Sequence, residues 1–508
     1  MICVVIGRTR HKMVQIEIQE AAKRGARMIE VRLDFLARPP DFKRLLENKP
    51  CPMVATIRRA QDGGRWTGSE QARRLLLRQA VVAGFDWVDL EGDVAEEIPR
   101  FGDVQRIVSY HNLREVPHEL EEIHDRLCLL DADVVKIAVT AQEPQDNLRV
   151  LALAKNAAKP TVAYCMGDMG VPSRILTGIY GAPFTYAAFN KERGIAPGII
   201  SLHDMQKTYH YEAVNTETRV YGVIGDPVAH SLSPLIQNVA LEKVGINAVY
   251  LPFRVPRGYL PEFLEDFGQV PVEGYSVTIP HKETAAADAK RRDPAVAAIG
   301  AANTLVKTAD GFMAHNTDYQ AALDSIRAHL ASGPEGSSAT ITGRTVLVLG
   351  AGGVARAVAH ALHDQGAMIS VCNRTPDKAQ KLAEEVGCRF INWDARHATF
   401  CDVLINCTSV GMHPNLDEMP IHQSVLRQGL VVVETVYTPE TTLLVKEARE
   451  RGCHVLTGVD MFVRQAALQF KLFTGADPPL ELMYQTVKRA LSPVALRDEE
   501  EVPQPPKP

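Results

Sequence analysis

The chain has 508 residues, enough for about three domains of ordinary size. Hydrophobic residues at 46% and charged residues at 23% match soluble globular proteins and exclude global disorder. Lys and Arg number 56 against 61 Asp and Glu, a net charge of -5, which leaves no basic excess for a nucleic-acid backbone or an anionic membrane surface.

The apolar opening at residues 2–6 stops at Gly7-Arg-Thr-Arg10, too short for a signal-peptide core or a membrane span, and no later run is long enough. Nine scattered cysteines with no C-x-x-C pair predict reduced thiols, a cytoplasmic setting and no metal site. Up to about residue 205, eight β-branched runs, at 2–6, 28–33, 53–57, 87–90, 106–110, 134–139, 161–164 and 185–189, alternate with helix-like segments such as 69–83. Eight such alternations predict a small (β/α)8 barrel, with an open doubly wound sheet as the competing fold. Strand alternation puts Glu30 and Arg32 on one face of the second run and Thr56 and Arg58 on one face of the third. His111 follows the fifth run and Lys136 lies within the sixth. In a barrel such residues converge at the C-terminal mouth. There an inward Lys136 is expected to have its pKa lowered by burial and by Arg32 and Arg58, giving an amine that attacks a ketone. Periodicity alone weighs equally an outward Lys136 and a His111 that is only a polar residue at a loop mouth.

A polar stretch at 208–218 marks a boundary before the strand-like Val220-Tyr-Gly-Val-Ile-Gly225. Ser231, Ser233 and Pro234 precede an amphipathic run at 235–244; Ser233 reads as an N-cap and Pro234 as the first helical residue, which leaves Ser231 unexplained. Thr278 and Lys282 stand four residues apart at the end of a strand, and Asn303 and Asp318 end two later strand-like runs. Each alone is compatible with surface decoration; together they make a polyhydroxyl-binding set with a Lys/Asp pair able to move a proton. A Gly/Ser-rich break follows at 332–343, so the C-terminal half is expected to be bilobal. Beyond it, a strand-like run into Gly350-Ala351-Gly352-Gly353-Val354-Ala355 fits G-x-G-x-x-A, in which glycines let backbone amides approach a pyrophosphate at a helix N-terminus. After the next strand, at 368–372, the chain reads Asn373-Arg374-Thr375, with Lys378 close by. An NAD site would place Asp or Glu there, whereas these residues offer donors to a 2'-phosphate, so the expected cofactor is NADP.

On these residues the segment from about 220 to 492 resembles shikimate dehydrogenase. The motifs are Gly225-Asp-Pro-Val-Ala-His-Ser-Leu-Ser-Pro234, Val277-Thr-Ile-Pro-His-Lys282, Gly300-Ala-Ala-Asn303, Asn316-Thr-Asp318, the glycine turn, Asn373-Arg-Thr375, Asn406-Cys-Thr-Ser-Val-Gly-Met412 and Gly458-Val-Asp-Met461 through Gln465. The resemblance implies that Ser231, Ser233, Thr278, Asn303, Asp318, Tyr437 and Gln465 hold a substrate's hydroxyls and carboxylate, with Lys282 and Asp318 as the catalytic pair. It also implies cofactor contacts from Thr408, Gly458 and Met461 alongside the glycine turn and Asn373 to Lys378. Ser276 stands where many members carry Asn.

Residues 1 to about 205 resemble type I 3-dehydroquinate dehydratase through Glu30-Val-Arg32, Thr56-Ile-Arg58, Ser109-Tyr-His111, Lys136-Ile-Ala138, Ser173-Arg174 and Ala196-Pro-Gly198. The resemblance implies an imine on Lys136, His111 as acid and base, Glu30, Arg32, Arg58 and Arg174 on the substrate, and Arg174 as the carboxylate clamp. Three positions depart from the family: Asp62 replaces a Glu and is expected to orient His111 less closely, while Ile195 and Ile199 replace two polar lid residues. The two resemblances together imply a barrel at 1–212, a bilobal dehydrogenase at 219–494 (substrate lobe about 219–322 plus C-terminal helices, NADP lobe about 340–460) and a disordered tail at 495–508. They also imply two consecutive shikimate-pathway reactions. The expected partners are small molecules (3-dehydroquinate, 3-dehydroshikimate, shikimate), and no oligomeric state follows from the residues. Two alternatives remain in play: a degenerate metabolite sensor, and an imine-forming aldolase fused to a quinate dehydrogenase.

Overall fold

The computed structural model describes residues 1–331 and 340–492. The tail expected at 495–508 and most of the break at 332–343 lie outside the described residues. The chain divides into two compact units, one of Met1–Pro234 with Ile246–Val272 and the other of Leu235–Gly245 with residues from Glu273 onward.

In the first unit, β1 (Ile2–Ile6), β2 (Met28–Arg32), β3 (Met53–Thr56), β4 (Trp87–Glu91), β5 (Gln105–Asn112), β6 (Val134–Thr140), β7 (Thr161–Met166) and β8 (Thr185–Ala188) form a parallel sheet ordered β7-β6-β5-β4-β3-β2-β1-β8. A doubly wound sheet reverses direction at its middle; here the order is sequential and β8 returns to pair with β1, Ile2 opposite Thr185, which overturns the open-sheet alternative. Among the described residues no ladder joins β7 to β8; the rings of Tyr164 and Tyr186 meet across that seam at 6.0 Å. The helix Glu70–Ala83 forms where expected, the Ser69 hydroxyl accepting from the Ala72 amide at 3.2 Å.

Alternate residues of these strands, Cys3 and Val5, Met28, Val54, Ile107, Val134 and Ala138, Val162 and Tyr164, with Phe184 and Tyr186, pack into the barrel interior. Glu30, Thr56, Asp89, Ser109 and Lys136 share their parity and are all buried. The same unit contains the parallel pair β9 (Arg219–Gly225) and β10 (Ala248–Arg254), Ala248 opposite Arg219.

In the second unit, β11 (Val272–Val277) runs antiparallel to β13 (Thr304–Thr308), which turns back into β14 (Gly311–His315); β12 (Arg291–Arg292) lies parallel to β14. A separate parallel sheet contains β15 (Thr345–Leu349), β16 (Met368–Cys372), β17 (Arg389–Phe390), β18 (Val403–Asn406), β19 (Val431–Glu434) and β20 (His454–Leu456), ordered β17-β16-β15-β18-β19-β20. The order reverses between β15 and β18, the crevice where a dinucleotide binds in such sheets. Apolar clusters on the two sides of this sheet, one around Val346 and Val348 and the other around Leu347 and Leu349, explain why its strands read as continuous hydrophobic runs. Among the described residues no helix is long and apolar enough to cross a membrane, and all nine cysteines are free.

Candidate active sites

The barrel mouth encloses a cavity of about 270 Å³ lined by Glu30, Arg32, Arg58, Asp62, His111, Lys136, Arg174 and Tyr186, with Ile195, Ala196, Pro197 and Ile199 along its rim. The inward reading of Lys136 is correct: it is 4% exposed, its Nζ 3.0 Å from Asp89 Oδ2 and 3.6 Å from Glu30 Oε2. The expected lowering of its pKa is not. Burial pulls it down most strongly and Arg58 adds to that, but Asp89 and Glu30 together outweigh them, and the pKa stands above its ordinary value. Asp89, absent from the expected site, is the missed residue. It is 1% exposed, accepts from Ser109 Oγ at 2.6 Å, lies 2.7 Å from Arg58 Nη2, and is held well below the usual carboxylate range despite burial, by Arg58 and Lys136.

Each cation at the mouth has a different freedom. Arg32 is tied bidentately to buried Asp34 at 2.9 and 2.8 Å. Arg58 serves Asp89, Glu91 at 2.8 Å and Ser109 at 3.0 Å. Arg174 has no carboxylate partner among the described residues; it lies 4.4 Å from the centroid of the Tyr164 ring, donates to the Pro197 carbonyl at 3.2 Å, and leaves Nε unpaired. Its unneutralised charge suits a carboxylate clamp. His111 lines the same cavity with Nδ1 unpaired, and burial first, then Arg58 and Lys136, depress its pKa well below 6.5, so it is neutral at physiological pH and able to accept a proton. Asp62 does not hydrogen-bond His111: Arg59, three residues earlier in the same turn, takes its carboxylate at 2.5 Å.

In the second unit, Lys282 opens the helix Lys282–Asp288 and donates from Nζ to Asp318 Oδ2 at 2.6 Å. Asp318 sits in the first turn of the helix Thr317–Ala331, and Asn303 immediately precedes β13, so neither ends a strand as expected. The β-branched Thr304 and Thr317 that flank them blur those boundaries in sequence. Asn303 is fixed on both sides: Nδ2 donates to Thr317 Oγ1 at 2.9 Å and reaches Gln465 Oε1 at 3.5 Å, while Oδ1 accepts from the Thr317 amide at 2.8 Å. Gln465, on the helix Gly458–Thr474, is anchored by its own Nε2 on the Phe462 carbonyl, and the Tyr437 ring stacks on Phe462 at 4.4 Å. Thr278 follows β11, half-buried; Ser276 donates to Gln469 Oε1 at 2.8 Å. In the first unit, Ser231 and Ser233 share one local turn in which the Ser233 amide donates to Ser231 Oγ at 3.2 Å. The helix is Ser233–Val244, so Ser233 is its first residue and not the residue that precedes it.

At the crossover crevice Gly350 has φ +115°, and a Cβ there would lie 2.8 Å from the Cys407 carbonyl oxygen, so only glycine fits. A Cβ on Gly352 would meet nothing within 4 Å, and one on Gly353 would lie 3.2 Å from Lys282 Cδ. The open glycine turn, the amides at the start of the helix Gly353–His363 and the Lys282 side chain therefore share one neighbourhood. Ala351 and Val354 pack partly into the core behind the turn. Arg374, Thr375 and Lys378 are exposed after β16; Asn373 is half-buried and tied to the Thr375 carbonyl at 3.0 Å. Thr408 is held by Asn406 Oδ1, which accepts from its amide at 3.0 Å and its hydroxyl at 2.7 Å. Gly458 is required because a Cβ would lie 2.3 Å from the Val436 carbonyl oxygen, and Met461 is 6% exposed, within the apolar core. Together these features suit a dinucleotide with a 2'-phosphate, with no acid at residues 373–375 to oppose it.

Comparison with known proteins gives four family matches. Residues 2–216 match type I 3-dehydroquinase, 223–305 the shikimate dehydrogenase substrate binding domain, 335–428 shikimate / quinate 5-dehydrogenase, and 458–488 the shikimate 5'-dehydrogenase C-terminal domain. The chain is 36% identical over 511 residues to a chloroplastic bifunctional 3-dehydroquinate dehydratase/shikimate dehydrogenase of Arabidopsis thaliana, covering 96% of this chain and 84% of that one. It is 38% identical over 280 residues to a shikimate dehydrogenase (NADP(+)) of Shouchella clausii, covering 54% of this chain and 100% of the relative. A crystal structure of a shikimate dehydrogenase in complex with NADP+ matches with a TM-score of 0.51 at 31% identity, covering 55% of this chain and 98% of that one.

Proposed function

The chain belongs to the bifunctional 3-dehydroquinate dehydratase/shikimate dehydrogenases, and from that premise we propose how its residues divide two consecutive reactions. The domains on this reading are the barrel at 1–212 and the dehydrogenase at 219–494, with a tail at 495–508. What supports the assignment most directly is a lysine amine held by a carboxylate in each of two separate sites, Lys136 by Asp89 at 3.0 Å and Lys282 by Asp318 at 2.6 Å.

In the barrel, Arg174 takes the carboxylate of 3-dehydroquinate and the ketone faces Lys136. The amine adds to the carbonyl carbon and the ketone oxygen leaves as water, giving a cationic imine that acidifies the adjacent C–H bond. Neutral His111 removes that proton and returns it to the departing hydroxyl. Glu30, Arg32 and Arg58, with their charges already balanced by Lys136, Asp34, Asp89 and Glu91, present hydroxyl-binding edges. Asp62, held by Arg59, steadies the rim.

In the dehydrogenase, NADP is the cofactor, held by Gly350 to Val354, Asn373 to Thr375, Lys378, Thr408, Gly458 and Met461; in its reduced form it supplies the hydride for a ketone carbon. Asn303, Thr278, Tyr437 and Gln465 hold the hydroxyls and carboxylate of 3-dehydroshikimate. Ser231 and Ser233, by their motif, join this set. Lys282 meets the ketone oxygen with an N–H donor, stabilises its growing negative charge and gives it a proton; Asp318 keeps that amine aimed. The nine free thiols support a reducing setting such as the cytoplasm.

A coupled assay tests the whole: 3-dehydroquinate and NADPH added to the chain yield shikimate, and borohydride added with 3-dehydroquinate leaves a stable adduct on Lys136. Active protein with no adduct refutes the imine; absence of shikimate refutes the assignment.

A further inference from the structure

Buried polar atoms without a partner gather around the barrel cavity: His111 Nδ1, Arg174 Nε and the Tyr186 hydroxyl all belong to residues that line it. The first two have roles in the reading above. Tyr186 has none.

Tyr186 is 2% exposed and inward on β8, directly opposite Cys3 of β1. Its ring packs edge-on against Phe184 at 5.5 Å and Tyr164 at 6.0 Å, and Lys136 Nζ lies 4.1 Å from its centroid. Packing alone does not ask for the hydroxyl. Phe184, also in the interior core, shows that the barrel accepts phenylalanine, and phenylalanine at 186 would keep every ring contact. A buried tyrosine hydroxyl ordinarily finds a partner, and leaving one unpaired is destabilising. Burial, with Glu30 and Asp89 nearby, pushes the phenol well above its ordinary value, so the hydroxyl remains protonated and can donate. An unpaired donor on a ring that the Lys136 amine approaches to 4.1 Å, in a residue that lines a cavity suited to a polyhydroxylated acid, can be given its missing partner by a ligand oxygen.

We propose that Tyr186 is a further catalytic residue of the dehydratase, its hydroxyl donating a hydrogen bond to the ketone oxygen of 3-dehydroquinate as Lys136 adds to the carbonyl carbon. The inference rests on the dehydratase reading above and names one more residue for that site. The new C–N bond uses the nitrogen lone pair while the C=O π pair moves onto oxygen, where the Tyr186 hydroxyl stabilises it. The oxygen departs as water when the C=N bond forms. Of the three protons on the resting Lys136 ammonium, one stays on the imine nitrogen and two leave with the water, so Tyr186 ends with the proton it began with.

Tyr186→Phe in the full chain tests this. The expected result is a 10- to 100-fold fall in dehydration kcat, with an equal slowing of borohydride trapping on Lys136, unchanged shikimate dehydrogenase activity, and a thermal midpoint no lower than wild type. Wild-type kcat and trapping in the variant overturn the inference alone. So does a loss of activity that tracks a drop in thermal midpoint, which would make the hydroxyl structural. A wild-type chain with no dehydratase turnover overturns this inference and the reading beneath it together.

Discussion

Asp89→Asn isolates what the carboxylate does for Lys136. In the wild type, Asp89 is 3.0 Å from the Lys136 amine and 2.7 Å from Arg58, almost fully buried. With an effective dielectric of about 20, unit charges at that first distance interact by about 5 kcal/mol. Glu30 remains at 3.6 Å and Arg58 keeps Glu91 at 2.8 Å, which recover part of the loss, so in the variant the Lys136 amine is expected to lose its proton at lower pH than in the wild type. Lys136 starts above its ordinary value of 10.5, and imine formation begins from the free amine, so the trapping rate of the wild type should still be climbing at the alkaline end of the accessible range. In the variant the same rise should be displaced to lower pH. The assay is rapid-quench borohydride trapping of the Lys136 adduct by intact mass across the range, alongside thermal unfolding, because uncovering a buried charge pair costs about 3–5 kcal/mol. Superimposable pH profiles in two folded proteins, or a shift to higher pH, would show that Asp89 does not set the charge of the amine.

Lys282→Ala should lower shikimate dehydrogenase turnover by about two to four orders of magnitude while NADPH affinity and dehydratase activity stay near wild type; near-normal turnover removes Lys282 from its role. Arg374→Ala should reduce the preference for NADPH over NADH by about tenfold or more, the worth of one charge-assisted hydrogen bond, and an unchanged ratio of kcat/KM values would reject the 2'-phosphate contact. Glu434 is fully buried, accepts from Asn406, Thr442 and the Val436 amide, and is pushed up to about 7 by burial. Because its folded value exceeds the ordinary 4.5, its stabilising contribution is complete below that pH and is lost as pH rises through about 7. Denaturant titration should therefore show wild type losing roughly 3 kcal/mol relative to Glu434→Gln between about pH 4.5 and 8; a constant difference would contradict the assignment.

The barrel strands were legible because parallel strands covered on both faces read as short β-branched runs, and parity within them survives inspection. In Val134-Val-Lys-Ile-Ala-Val139 parity puts Lys136 on one face with Val134 and Ala138; periodicity left open which face is inward, and the structure turns that one into the barrel. The end of β5 was less visible because polar residues carry on past the apolar run, through His111 to Asn112; β7 extends past the β-branched and aromatic run through Cys165 to Met166. Asp89 was readable in principle. Trp87-Val-Asp-Leu-Glu91 puts two carboxylates on the face of Trp87, a pattern that makes sense only if cations from other strands meet them. Counting Arg32 and Arg58 without Asp89 and Glu30 reversed the sign of the Lys136 shift. Asp62 illustrates the opposite difficulty: its capture by Arg59, a neighbour three residues away, depends on the turn at residues 60–62 and not on any pattern along the strands.

On the mechanism proposed above, the two lysines divide chemically along a line drawn by their surroundings. The Lys282 side chain is 16% exposed and has one carboxylate partner, so a proton given to an alkoxide can be replaced from solvent through Asp318 between turnovers. The Lys136 side chain is 5% exposed and has two, and the same exchange with water is hindered. A sealed amine fits covalent capture because the protons needed to expel the ketone oxygen are already on the nitrogen, while Asp89 and Glu30 balance positive charge before and after the imine forms. Where the amine must return a fresh proton on every cycle, partial exposure is an asset; where it forms the bond itself, exclusion of water protects the imine from premature hydrolysis.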